Sequence, residues 1–164
     1  MLGKKVEDAL NTQMNKEFYS AYLYLSMSAH FESNNLKGFA HWLRIQAKEE
    51  LGHGMKFYDY MAQRGARPAL SQIDAPPSKW KNHAIVFEDA YKHEQKVTKY
   101  ISELADLARS EADHATGVFL QWFVNEQVEE EMNASEIVSK MKLVGDSTAA
   151  LLVIDSELGK RPSK

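Results

Sequence analysis

Cysteine is absent from the 164 residues. That one absence excludes disulfide frameworks, thiolate zinc sites, iron–sulfur clusters and cysteine nucleophiles, so any metal here must be held by oxygen and imidazole. Long apolar runs are missing too: the longest, Ala149 to Ile154, falls far short of the roughly 20 residues a membrane span requires. Nor is one sign of charge in excess. With 23 acidic and 20 basic residues and a net charge of −3, the chain has no general attraction for nucleic acid or anionic lipid. The first residues, Met1 to Asp8, lack the apolar core and small-residue cleavage site of a secretory signal. The expectation is a cytoplasmic protein with neither nucleic acid nor membrane as partner.

Glycine and proline are scarce, at 8 and 4 residues, and the hydrophobic share is 44%, as in one ordinary domain. These breakers separate four long stretches in which apolar residues recur at three and four positions, the period of an amphipathic helix. Residues 4–33 carry Val6, Leu10, Met14, Ala21, Leu25 and Phe31 on one side; residues 37–64 carry Phe39, Leu43, Ala47 and Phe57 and end at Arg64-Gly65. Residues 83–110 carry Phe87, Ala90, Val97, Ile101 and Leu104; residues 113–143 carry Leu120, Phe123, Ala134, Ile137 and Met141, with Asp113 as N-cap. Short connections join the first two helices and the last two, so each pair forms an antiparallel hairpin. The middle connection, residues 65–82, holds Pro68, Pro76 and Pro77 and is long enough to run the whole length of a bundle. The fold class is therefore all-α: two hairpins and one long crossover. A fifth helix over residues 147–158 is apolar nearly all round and must be covered by something outside the four-helix core, for which a subunit contact is the favoured expectation.

Acids interrupt each apolar row: Glu17 on the first helix, Glu50 with His53 on the second, Glu94 on the third, Gln127 with Glu130 on the fourth. Their register repeats. A shift of 77 residues carries Glu17 onto Glu94, Glu49 onto Glu126, Glu50 onto Gln127 and His53 onto Glu130. Hairpins packed with approximate twofold symmetry then bring all the inner polar groups to one level, as a paired site. Four ionised carboxylates in an apolar interior cost several kcal/mol each unless matched, and no Lys or Arg lies on these inner faces near that level. Two divalent cations match Glu17, Glu50, Glu94 and Glu130 in charge, with His53 adding a nitrogen. Oxygen-rich ligation with one imidazole suits iron or manganese. Glu50-x-x-His53 puts both side chains on one helix face, the Glu-x-x-His pattern of dimetal bundles.

The segments Leu10-Asn11-x-Gln13-x-Asn15-x-Glu17, Tyr19-Ser20-Ala21-Tyr22-Leu23-Tyr24, Lys37-Gly38-Phe39-Ala40-x-Trp42, Glu49-Glu50-x-x-His53, Lys92-His93-Glu94 and Phe119-Leu120-Gln121-Trp122-Phe123-Val124-x-Glu126-Gln127-Val128-Glu129-Glu130-Glu131 resemble the non-haem ferritins of the bacterial and archaeal type over essentially the whole chain. The resemblance implies a ferritin-like four-helix bundle with a short C-terminal helix, and a ferroxidase centre with one iron at Glu17, Glu50 and His53. Glu50 would bridge to a second iron at Glu94 and Glu130. Gln127 would stand beside the first pair, with Tyr24 as hydrogen-bond partner or electron donor, and Glu49, Glu126 and Glu129, together with Glu130, would form a third iron site. It further implies iron storage in a hollow homo-oligomeric shell, normally of 24 subunits, oxidising iron(II) with dioxygen or hydrogen peroxide, with a redox partner for release. Two departures sharpen it. Gln127-x-x-Glu130 replaces the second Glu-x-x-His of bacterioferritins and rubrerythrin-like proteins, and Leu51 stands where haem-binding relatives carry methionine, so no haem is expected. The alternative is a rubrerythrin-like di-iron peroxidase or oxidase that stores nothing. His30, His41, His83, His93 and His114 have no matching ligand spacing and read as surface or hydrogen-bonded histidines.

Overall fold

A computed structural model describes residues 2–162. Five helices follow in order: α1 Lys4–Ser33, α2 Lys37–Gln63, α3 His83–Ser110, α4 His114–Val144 and α5 Thr148–Leu158. Their ends obey local chemistry. The Asn82, Asp113 and Ser147 side chains cap α3, α4 and α5 by accepting from the Ile85, Thr116 and Ala150 amides, each satisfying a donor the first turn leaves open. After α2 the Ala66 amide reaches back to the Met61 carbonyl at 3.0 Å, a closure that requires the left-handed backbone Gly65 adopts at φ 73°.

α1 packs along α2 and α3 along α4, as two hairpins; α1 also meets α3. The α2–α4 side is joined through long side chains, among them Phe57 stacked on Phe123 and Gln46 bonded to Glu130. The crossover runs back along α1. Its Ala69 amide donates to Asn11 Oδ1, its Gln72 carbonyl accepts from Asn15, its Pro77 carbonyl from Ser26, and Trp80 lies edge-on to His30. From Asn11 to His30 is a rise of roughly 28 Å on a helix, which the loop covers between Ala69 and Trp80 as nearly extended chain.

The core falls into two apolar halves. One, at the α5 end, is built on Met27, Phe31, Phe39, Leu43, Phe87 and Ile137; the other, at the opposite end, on Val6, Leu10, Phe57, Ile101, Leu120 and Phe123. Between them lies a buried polar belt: Gln13, Glu17, Ser20, Gln46, Glu50, His53, Glu94, Gln127 and Glu130. Leu25, expected on the inner row of α1, is instead half exposed. The 3.6-residue period carries the row from Ala21 to Tyr24, Met27 and Phe31, and leaves Leu25 on the outer face.

α5 rests on α2 and α4 of its own bundle. Ile154 and Leu158 are buried, while Leu152 and Val153 point outward, so own-bundle packing covers one side and leaves the other free. The docking is close: the Phe39 amide donates to Asp155 Oδ1 at 3.0 Å, and a Cβ on Gly38 would fall 1.6 Å from the Asp155 carbonyl oxygen. Among the described residues no helix is long and apolar enough to cross a membrane.

Candidate metal centre

All four helices deliver a carboxylate to the belt. Glu17 comes from α1, Glu50 and His53 from successive turns of α2, Glu94 from α3 and Glu130 from α4, because in each helix the polar residue replaces an apolar one in the inward row. None of these five, nor Gln127, is more than 4% exposed. Three overlapping groups have ligand atoms within 4.8 Å of one another: Glu17 with Glu50 and His53, Glu50 with Glu94 and Glu130, and His53 with Glu126 and Glu130. Glu50 belongs to the first two, so one carboxylate lies between two neighbouring groups that could each hold an ion. His53 Nδ1 lies 3.3 Å from Glu50 Oε2 and 4.0 Å from Glu17 Oε2, and Trp122 and Phe123 hold its ring edge-on.

A layer of donors fixes the acids. Gln13 Nε2 donates to Glu17 Oε1 at 2.7 Å; Gln46 Nε2 donates to Glu50 Oε1 at 3.1 Å and to Glu130 Oε2 at 2.7 Å. Tyr24 donates its hydroxyl to Glu94 Oε1, and Gln127 Nε2 donates to Glu94 Oε2 at 3.1 Å. Gln127 thus lies against the α3 acid rather than beside Glu17 and Glu50, because α4 packs on α3 and its amide meets the nearest carboxylate at that level. Sequence reasoning gave Gln13 and Gln46 no role of their own. Their signal was available: each stands four residues before its glutamate, one turn away on the same face. His93 is half-buried, with Nε2 2.7 Å from Ser20 Oγ and its ring 6.0 Å from Tyr24, so it is a hydrogen-bonded histidine beside the cluster.

The acids at the edge of the belt part company. Glu126 joins His53 and Glu130, Glu129 is exposed, and Glu49 accepts a 2.5 Å contact from Arg161 Nη2. No Lys or Arg stands on the inner faces of the bundle helices, but an arginine does reach this level from beyond α5. Glu131, in the acidic run, is half-buried and accepts from Thr98 Oγ1.

The electrostatics call for cations. Burial above all, then the neighbouring Glu50 charge, raises the Glu17 pKa well above the carboxylate range, and burial followed by Glu94 and Glu130 does the same to Glu50. Burial raises Glu94, and burial with the Glu94 charge pushes Glu130 up to about 8. Burial and the Glu94 charge also raise Tyr24 well above its usual value. Glu17 Oε2 is buried without a hydrogen-bond partner, an acceptor aimed at the space shared with Glu50 and His53. Such an orphan costs about 1–3 kcal/mol, and a divalent ion relieves it. The donor set of carboxylates with one imidazole fits iron or manganese.

Fold and cluster together define a ferritin-like helical bundle with a carboxylate-lined interior. The sequence matches the ferritin-like domain model over residues 7–144. It is 44% identical to a bacterial non-heme ferritin of Bacteroides fragilis over 98% of this chain and 100% of that one, and 42% identical to one of Staphylococcus saprophyticus over 98% and 96%. An open pore ferritin from the hyperthermophilic archaeon Archaeoglobus fulgidus superposes with a TM-score of 0.97 at 49% identity, covering 99% of this chain and all of that one. The chain belongs to the ferritin family.

Proposed function

We propose that this protein oxidises iron(II) at the buried cluster and stores the product as ferric oxyhydroxide inside a shell of identical chains, 24 by the family resemblance. One observation carries the reading: two groups of ligand-type side chains, Glu17/Glu50/His53 and Glu50/Glu94/Glu130, share Glu50, an arrangement suited to two neighbouring ions. Iron is the substrate and the cargo. The two iron(II) ions give up one electron each, which with protons reduce dioxygen to hydrogen peroxide or hydrogen peroxide to water, and hydrolysis of the ferric product releases protons.

The chain's own residues act on charge and position. The four raised carboxyls surrender their protons when cations enter, so loading releases protons. Gln13, Gln46, Gln127 and Tyr24 keep the carboxylates from collapsing on one another, and hold them preset for ions. The hydroxyl bond from Tyr24 to Glu94 supports a role for Tyr24 as hydrogen-bond partner or electron donor at that edge of the cluster. Glu126, at 4.0 Å from His53 Nε2, offers a first step outward. Glu129, exposed on the same helix, offers a later one.

Storage requires an enclosed space that one bundle cannot supply. Assembly is supported by outward apolar residues: Tyr22, Leu25, Leu51 and Ile73 around a groove between α1 and α2, and Leu152 and Val153 on α5, since patches of this kind mark interfaces. The test is aerobic iron(II) titration with oxidation followed by absorbance and the particle by size. The expected result is fast oxidation, lost in Glu50→Ala, with loading that continues to hundreds of ions per particle. Loading that stops at about two per chain would identify a peroxidase or oxidase that stores nothing.

A further inference from the structure

The segment after α5 returns to the metal-facing helix and brings one half-buried cation, Arg161, against it. Arg161 Nη1 donates to Gln46 Oε1 at 2.9 Å and to the Trp42 carbonyl at 3.3 Å, Nη2 contacts Glu49 Oε2 at 2.5 Å, and the guanidinium lies 4.3 Å from the Trp42 ring centre. The Arg161 carbonyl is 2.8 Å from His41 Nε2, which anchors the backbone as well. The Arg161 and Glu49 side chains are only 15% and 13% exposed. A half-buried arginine held by several charge-assisted and neutral hydrogen bonds contributes more than a solvent-exposed pair.

Two consequences follow from donor chemistry. Arginine can only donate, so it fixes the Gln46 amide with its oxygen toward Arg161 and its NH2 toward the cluster, where it bonds Glu50 and Glu130. The second concerns charge. The acids at this level are Glu17, Glu49, Glu50, Glu94, Glu126 and Glu130. Two divalent ions match four of them, Arg161 matches Glu49, which shares the α2 turn with Glu50 and whose charge reaches Glu130, and Glu126, whose side chain is 18% exposed, keeps contact with solvent. We propose that Arg161 is a built-in third cation: by holding Glu49 and setting the Gln46 amide, it limits the interior to two divalent ions and withholds Glu49 from any third. Arg161 is a specificity-determining and positioning residue, and a third ion binds through Glu49 only when the C-terminal segment lets go. This inference rests on the dimetal reading above.

The test is calorimetric titration of the metal-free full-length protein with Zn(II), which is redox-inert, so the readout is stoichiometry and not turnover. Wild type is expected to take about two ions per chain at the interior, Arg161→Gln about three, and Arg161→Gln/Glu49→Gln about two again. Arg161→Lys, which keeps the charge, is expected to stay near two, and circular dichroism confirms that each variant is folded. Arg161→Gln remaining at two, or wild type already taking three with Glu49 engaged, overturns the proposal and leaves the dimetal reading standing. Wild type taking fewer than two, or Glu50→Ala losing none, overturns both.

Discussion

Glu130→Gln should make the metal-free protein more stable near neutral pH. Glu130 is 3% exposed, and its pKa is pushed from 4.5 to about 8, by burial first and by Glu94 second. A carboxyl whose folded pKa is raised stabilises the fold below its unfolded value and loses that contribution as pH rises through the folded value. At 1.36 kcal/mol per unit, holding Glu130 in the fold near pH 7 costs about 3 kcal/mol relative to an unperturbed carboxyl, and near pH 5 less than about 1 kcal/mol. Gln keeps the shape and still accepts from Gln46, but cannot ionise. The variant should therefore gain about 2–3 kcal/mol near pH 7, a rise of roughly 5–10 °C in thermal midpoint for a chain of this length, and little near pH 5. Thermal scans of chelator-treated protein at both pH values, at matched concentration, measure this. Adding Zn(II) should reverse the order, because wild type gains more from the ion. A lower midpoint for metal-free Glu130→Gln near pH 7, or an equal gain at both pH values, would refute the electrostatic account of the belt.

Tyr24→Phe removes the hydroxyl that bonds Glu94; Zn(II) stoichiometry should persist while iron(II) oxidation slows about tenfold, as loss of one charge-assisted hydrogen bond implies, and an unchanged rate would reduce Tyr24 to packing. Gly38→Ala should destabilise by at least about 1–3 kcal/mol, opposite in sign to the roughly 1 kcal/mol gain of this exchange in an open helix, since the new methyl overlaps the Asp155 carbonyl; faster proteolysis after α4 would show α5 released. Asp113→Ala removes both the α4 cap and the Arg64 pair at 3.1 Å, and should cost about 1–2 kcal/mol in denaturant titration. Burial lowers His93 to about 4, so its contribution to stability is present above pH 6.5 and is lost as pH falls through 4, by up to about 3 kcal/mol; His93→Gln should remove that slope when wild type and variant are compared across the interval.

Much of this molecule was legible in one dimension. Helix positions agree with the apolar period to within a residue at most ends, and the caps at Asp113 and Ser147 follow from residue type. The acids on the inner rows were legible for the same reason: a polar residue in an apolar row either is matched or unfolds the chain. Leu25 was misplaced because rows at three- and four-residue spacing drift, and only packing chooses between neighbours such as Tyr24 and Leu25.

The sequence by itself determined five helices, their hairpin pairing and the level at which Glu17, Glu50, His53, Glu94 and Glu130 gather, since these depend on period, loop length and local spacing. Tertiary structure decided everything that joins residues distant along the chain. It set Gln127 against Glu94, laid α5 on α2 and left Leu152 and Val153 outside. It also brought Arg161 against Glu49 from more than a hundred residues away. Such pairings carry no period, because their geometry exists only once the helices have packed.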